Sequence, residues 1–140
     1  MPAVIDSFTG EYRFLSNFWL CNIEVEGLTF PSVENAYQAA KSRDDARDAE
    51  FTLITPAVAK RLGRKLLIRH DWDRVKLTIM RDLLRLKFSD RELMNMLRGT
   101  GDALLVEGNT WRDTYWGVCA VSGRGENHLG KLLMEIRRGE

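Results

Sequence analysis

Hydrophobic and polar positions change their period near residue 32. Trp19, Cys21, Ile23 and Val25 alternate with Asn22 and Glu24, and Glu26-Gly27 offers a turn before Leu28 and Phe30. That period of two predicts a β-hairpin near the N-terminus, too small to stand alone and therefore laid against helices. From Ser32 the spacing becomes helical: Val33, Ala36, Tyr37 and Ala40 form a small apolar stripe, with Ser32 as N-cap after Pro31. The charge-mixed stretch from Ser42 to Glu50 reads as a short helix or a loop. Thr55-Pro56 is a helix start, with Thr as N-cap and Pro at the first helical position, and Gly63 ends or bends that helix. A longer helix is predicted from Asp71 to Phe88, with Val75, Ile79, Leu83 and Leu86 on one face, widened by Met80 and Leu84. Ser89-Asp90-Arg91-Glu92 has capping-box spacing and opens a further short helix, and Gly99 to Asp102 makes a turn. Leu104 to Val106 and Tyr115 to Val121 read as short strands or extended segments. The last helix is expected from about Glu126 to Arg138, with Leu129, Leu132, Leu133 and Ile136 facing inward.

These elements predict a mainly α, compact single domain over residues 1–140, with a small hairpin and short-strand component and no alternating βαβ units. There is no internal repeat or linker, and Pro2, Pro31 and Pro56 all sit where an element can begin. A chain of 140 residues buries roughly 68% of its unfolded surface, enough for a core without staples. The 44% apolar and 29% charged fractions lie in the globular range and argue against disorder. With 21 basic and 20 acidic residues there is no global pull toward nucleic acid or membrane. Cys21 and Cys119 are read as free and largely buried, a bridge between them being the lesser alternative. Met1 to Gly10 lacks a basic start and an apolar core, and no apolar run approaches the roughly 18 residues of a membrane helix. The expected compartment is the cytoplasm.

Three constellations carry candidate chemistry. Glu34, Gln38 and Lys41 fall at i, i+4, i+7 on one helical stripe, with Glu34 in the first turn, where the helix dipole favours a carboxylate. A ligand can lie along such a stripe; the other reading is an exposed polar face. Asn109 to Gly117 packs Trp111, Tyr115, Trp116 and Asp113 together, as stacking and acid–base groups or as a cover for the core edge. Ser122 to Gly130 places two glycines ahead of a helix, leaving N–H groups open to an anion or forming a plain helix start. The basic run from Lys60 to Arg69 can meet phosphates or be a solvated helix end. His70 and His128 are isolated, and no metal site is expected.

Phe14-Leu15-Ser16-Asn17-Phe18 and Pro31-Ser32-Val33-Glu34-Asn35-Ala36-Tyr37-Gln38-Ala39-Ala40-Lys41 resemble the opening motifs of the NADAR, or YbiA-like, family. Trp72 and the Met80 to Phe88 stretch resemble its middle, and Asp113-Thr114-Tyr115-Trp116-Gly117 with Gly125-Glu126-Asn127-His128-Leu129-Gly130 resemble its close. The pieces occur in order over about Phe8 to Arg138. Asn35 departs from the pattern, relatives commonly carrying His there. The resemblance implies a mainly α fold and hydrolysis of an N-glycosidic bond to ribose. The substrate would be a ribosylamino-pyrimidine phosphate of riboflavin synthesis, or ADP-ribose on a guanine base, free or within nucleic acid. It implies functional roles for Glu34, Lys41, Trp72, Asp113 and Trp116, with no cofactor.

On that resemblance Lys41 attacks the anomeric carbon and forms a Schiff base, which requires a neutral amine and hence a depressed pKa. Glu34 or Asp113 moves protons. Trp72 and Trp116 wall the pocket, Gln38 belongs with the substrate-binding group, and Arg13, Asn17 and Asn127 are candidates for ribose or phosphate contacts. Direct attack by water, with Lys41 as electrostatic stabiliser, is the simpler chemistry. A non-catalytic ADP-ribose or nucleotide-binding module is the alternative function. A nucleic-acid module resting on Lys60 to Arg69 ranks below it.

Overall fold

Some helices in this chain start where a short polar side chain reaches back to a free amide. Ser32 accepts from the amide of Asn35 at 3.0 Å, and Thr55 from that of Val58 at 3.2 Å, with Pro56 directly following. Both starts match the sequence pattern, because capping is decided within four residues. The computed structural model describes residues 3–42 and 45–140. Pro2 and, in the charge-mixed stretch, Arg43 and Asp44 lie outside them. The chain falls into two compact units, Asn17–Lys87 and a second joining the residues up to Ser16 to Phe88–Glu140.

In the first unit β2 (Ile23–Val25) and β3 (Leu28–Phe30) form the expected hairpin, with Ile23 opposite Phe30 and Val25 opposite Leu28. Glu26 and Gly27 both take positive φ, 48° and 83°, the turn geometry that suits strand twist. The strand is shorter than the alternation suggested: Trp19 and Cys21 precede it. Four helices follow, α1 (Val33–Ala40), α2 (Asp45–Glu50), α3 (Pro56–Gly63) and α4 (Trp72–Lys87). α1 packs against both α3 and α4, and every residue from Val33 to Ala39 is buried. On α4 the inward face is Trp72, Met80, Leu83, Leu84 and Lys87, while Leu86 is exposed. The helical repeat puts position 87 in line with 80, 83 and 84, so geometry overrides residue type and a lysine enters the core.

In the second unit β1 (Val4–Ile5) runs parallel to β4 (Leu104–Leu105), and β5 (Gly108–Asn109) runs parallel to β6 (Val118–Cys119). A 3-10 helix spans Gly10–Leu15. α5 (Arg91–Arg98) is capped by Asp90, whose carboxylate accepts from the amide of Leu93 at 3.0 Å, and not by Ser89. α6 (His128–Arg137) buries Leu129, Leu132, Leu133 and Ile136, as its periodicity predicts. Burying four such side chains contributes roughly 6–12 kcal/mol before conformational entropy is counted. The extended segment expected from Tyr115 to Val121 contracts to Val118–Cys119. Among the described residues helices outweigh strands, which pair two at a time, so the mainly α expectation holds at that level. None of the described helices is long and apolar enough to cross a membrane. Both cysteines are free thiols; Cys119 is buried and Cys21 only half-buried.

Candidate active site

The polar stripe of α1 is not an exposed face. Glu34 is 8% exposed and Gln38 4%, because α3 and α4 close over the helix. Burying a carboxylate and an amide is unfavourable unless each finds a partner. Here Gln38 Nε2 donates to Glu34 Oε2 at 2.6 Å. Asn35, fully buried on the same helix, exchanges hydrogen bonds with Ser32 and donates from Nδ2 to the carbonyls of Phe51 at 3.0 Å and Ile54 at 2.8 Å. It ties the approach to α3 onto α1, a task for an amide that needs no imidazole. The amide of Glu34 donates to the Asn17 carbonyl at 3.0 Å, which fixes Asn17 at the head of the stripe. Asn17 Nδ2 meets the thioether of Met80, at 3.6 Å, and among the described residues its Oδ1 is a buried acceptor without a hydrogen-bond partner.

Lys41 follows the last turn of α1. Its amide donates to the Gln38 carbonyl, and its own carbonyl accepts from the amide of Arg69 at 2.8 Å. The ammonium lies 5.7 Å from the centroid of the Tyr37 ring, and Tyr37 in turn packs on Trp72 with centroids 5.1 Å apart. Trp72 is buried at the start of α4, where Arg69 and Asp71 form a two-pronged ion pair just ahead of it. Burial lowers the pKa of Lys41; Glu34 works against this, and Arg64, Lys76 and Lys60 add to the lowering. Positive charge is thus brought around one amine from α3, the residue that follows it, and α4. Lys60 on α3 and Arg64, the residue that follows that helix, come from the basic run. Lys60 lies over Phe18 at 5.8 Å, whereas Arg61 and Lys65 of the same run are exposed.

In the second unit the polar groups of the Asn109–Gly117 segment hold their own chain. Asn109 Nδ2 donates to the Asp113 carbonyl at 2.9 Å and to Glu107 Oε2 at 3.0 Å, and its Oδ1 accepts from the amide of Asp113. Asp113 Oδ1 accepts from the amides of Tyr115 at 3.1 Å and Trp116 at 2.9 Å. This bends Tyr115 and Trp116 out of any strand and sets their rings edge to face, 4.8 Å apart. Trp111 is 58% exposed and does not cover the core edge.

The glycine-rich approach to α6 does not leave donors open to an anion. The amides of Glu126, Asn127, His128 and Leu129 donate to the carbonyls of Thr114, Gly117, Tyr115 and Trp116. Asn127 takes φ 55°; its Nδ2 donates to the Leu105 carbonyl at 2.9 Å, and its Oδ1 accepts from the amide of Glu107 at 3.0 Å. A Cβ on Gly130 would overlap the same Leu105 carbonyl, so that glycine serves a close approach of backbones. His128 is not isolated: it lies 4.5 Å from the Tyr115 ring and 3.4 Å from Glu126. Arg13 is exposed on the 3-10 helix.

Comparison with known proteins decides what this arrangement belongs to. Residues 6–139 match the NADAR domain. The chain belongs to the NADAR family. It is 41% identical over 135 residues to N-glycosidase YbiA of Shigella boydii, covering 94% of this chain and 83% of that protein. It is 40% identical to riboflavin biosynthesis protein VVA0006 of Vibrio vulnificus, covering 90% of this chain and 35% of that longer protein. The NMR structure of Escherichia coli YbiA superposes with a TM-score of 0.85 at 38% identity, covering 99% of this chain and 86% of that one.

Within this NADAR chain the first unit brings together Glu34, Gln38, Lys41, Trp72 and Asn17. The second carries Asp113, Trp116, Arg13 and Asn127. Tyr37 was legible only as a member of the apolar stripe, although its i, i+4 spacing to Lys41 marks it as a neighbour of the amine. Lys76 gave no signal in sequence, because its approach to Lys41 depends on how α4 packs. Among the described residues no group of three or more His, Cys, Asp or Glu side chains is arranged to hold a metal ion.

Proposed function

We propose that this chain is an N-glycosidase in which Lys41 is the reacting amine and Glu34 the proton-transfer group. The observation that carries this reading is the pairing of a lysine of lowered pKa with a buried carboxylate on one helix, walled by Tyr37 and Trp72. A neutral amine is a nucleophile and an ammonium is not, so burial and neighbouring cations favour the form the reaction needs. The Lys41 Nζ lone pair bonds to the anomeric carbon. The carbon–nitrogen bond to the base breaks, its electrons pass to the leaving nitrogen, and that nitrogen takes a proton. Nζ gives up a proton, and the bond from the anomeric carbon to the ring oxygen breaks with its electrons passing to that oxygen, which takes a proton, leaving a protonated imine on Nζ. Water adds to the imine, a carboxylate accepts its proton, and the free sugar leaves with Nζ restored.

Proton transfer is assigned to Glu34 because Asp113 Oδ1 is already held by two amides. Asn17 Oδ1, a buried acceptor without a hydrogen-bond partner among the described residues, suits a sugar hydroxyl. Trp116 is assigned to stacking and Arg13 to a phosphate, while Asn127 is read as a strut of its own unit. Lys60, Arg64 and Lys76 favour a substrate whose ribose carries a phosphate. The riboflavin name of one relative favours a ribosylamino-pyrimidine phosphate over ADP-ribosylated guanine. Both units fall inside one NADAR match, and we read them as a single domain.

The test is a product assay by liquid chromatography and mass spectrometry on both substrates, with Lys41→Ala and Glu34→Gln as controls. Release of ribose 5-phosphate or ADP-ribose, lost in both controls, supports the glycosidase and names its substrate. Binding without release moves the reading to a nucleotide-binding module. Cyanoborohydride under turnover fixes a sugar adduct on Lys41 if the imine forms; turnover without an adduct means direct water attack.

A further inference from the structure

Gln38 is buried too deeply to be an ordinary substrate contact, and its two amide ends are treated unequally. Nε2 donates to Glu34 Oε2 at 2.6 Å. Oε1 is buried and makes no hydrogen bond among the described residues. A carboxylate accepts and cannot donate, so the NH2 end must face Glu34, and Oε1 must face the other way, toward α3. There it meets Gly63. A Cβ built on Gly63 would overlap Oε1 and lie 2.6 Å from Cδ of Gln38. Gly63 lies in the helix, so left-handed backbone is not what demands a glycine here; the demand is room for the amide. Two helices are therefore shaped around one side chain that touches the candidate proton-transfer group.

We propose that Gln38 is a positioning residue, and that its amide, seated against Gly63, holds the Glu34 carboxylate as the counter-charge of Lys41. This rests on the reading of Lys41 as the reacting amine. The charged groups around that amine are Glu34 on α1, Lys60 on α3, Arg64 directly after α3, and Lys76 on α4. Glu34 supplies the negative charge in this set and raises the pKa of Lys41 against the rest. Loosening Glu34 leaves the cations unopposed, so the amine gives up its proton at lower pH. At the same time the carboxylate loses the orientation that proton transfer needs.

Three variants test this, Gln38→Leu, Gln38→Glu and Gly63→Ala, with Glu34→Gln as reference. Two readouts are taken. One is kcat and KM against pH on whichever substrate the wild type turns over. The other needs no turnover: the pH dependence of reductive methylation of Lys41 by formaldehyde and cyanoborohydride, read from the Lys41 peptide by mass spectrometry. The expected result for Gln38→Leu is a fall in kcat of about 10- to 100-fold, with KM within about two-fold. Its Lys41 titration moves to lower pH, in the direction of Glu34→Gln, and Gly63→Ala reproduces a part of both changes. Gln38→Glu keeps the size of the side chain and puts a second carboxyl at hydrogen-bond distance from Glu34, so the pair must share a proton. Its acidic limb therefore moves even though packing is kept. A rise in KM with kcat retained would overturn the proposal in favour of a substrate contact. An unmoved Lys41 titration in all three variants, with stability alone reduced, would overturn it in favour of simple packing. If the wild type turns over neither substrate the glycosidase reading fails, and the methylation curves still decide whether Gln38 acts on Lys41 through Glu34.

Discussion

Two regions of this molecule bury the same kinds of polar side chain to different ends. Between Glu107 and Gly130, Asn109, Asp113 and Asn127 turn their polar atoms mainly onto nearby backbone, and the three together satisfy six backbone groups. Along α1, Asn35 does the same, but Glu34, Gln38 and Asn17 do not. There the bonds run from side chain to side chain, and among the described residues two amide oxygens are left without hydrogen bonds. A buried polar group whose bonds close on the backbone holds a fold. On the proposed function, the open acceptor of Asn17 is kept for substrate, and that of Gln38 for its seat against Gly63.

The largest effect expected from this contrast lies at Lys41. Lys41→Ala should lower kcat/KM by at least about 10³-fold, the scale of losing a covalent nucleophile. Thermal stability should change little or rise, because a half-buried cation among cations is removed. A loss of activity that merely follows unfolding would place Lys41 with the supporting residues and break the contrast.

The next effect concerns pH. Lys87 is 2% exposed, and burial brings its pKa down from 10.5 to about 8, with Cys21 opposing. Between those values the unfolded chain binds the proton and the folded chain does not, so stability rises with pH across this window. Below about 8 the cost of burying the charge is fully present; above 10.5 it is gone. The span corresponds to about 3 kcal/mol. Urea titrations of wild type and Lys87→Met, compared from pH 7 to pH 10.5, should show the variant losing about that much of its relative stability as pH rises. A constant difference would mean that Lys87 is charged throughout and satisfied within the fold.

Asn127→Ala follows. It removes two hydrogen bonds to backbone and places alanine at φ 55°, at a combined cost of about 2–3 kcal/mol. Activity per folded molecule should stay within about two-fold, because both ends of the Asn127 amide are taken up by backbone. A raised KM at unchanged stability would move Asn127 from strut to ligand.

How far such roles can be read beforehand depends on their range. The caps at Ser32 and Thr55 and the turn at Glu26-Gly27 were legible because each is settled within four residues. The burial of Glu34 and Gln38 was not, since a polar stripe looks the same whether water or another helix faces it. Lys87 was hidden by its type: the period of α4 included position 87, but a lysine there invites the assignment of Leu86 instead. β1 and β5 are two residues long and depend on partners far away or on the opposite side of a turn, so no alternation announces them. The glycines before α6 resembled an anion cradle in composition, but their neighbours' amides were claimed by residues 114–117. The motifs of the family name candidate positions without saying which residue serves chemistry and which serves the chain.

The smallest expected effect is the one that separates those two roles most sharply. Asp113→Asn keeps an oxygen where Oδ1 accepts from the amides of Tyr115 and Trp116, so the turn should survive with a stability change of about 1 kcal/mol or less. An amide cannot give or take a proton as a carboxyl can. If Asp113 only holds the turn, kcat/KM falls by less than about three-fold and its pH profile keeps its shape. A fall of about 10²-fold or more, with the melting temperature intact, would make its carboxyl a participant in proton transfer. Asp113→Ala supplies the opposite control, since it deletes the acceptor and should release Trp116 from its place. Asn harmless and Ala harmful would put Asp113 with Asn109 and Asn127; Asn and Ala equally harmful would put it with Glu34.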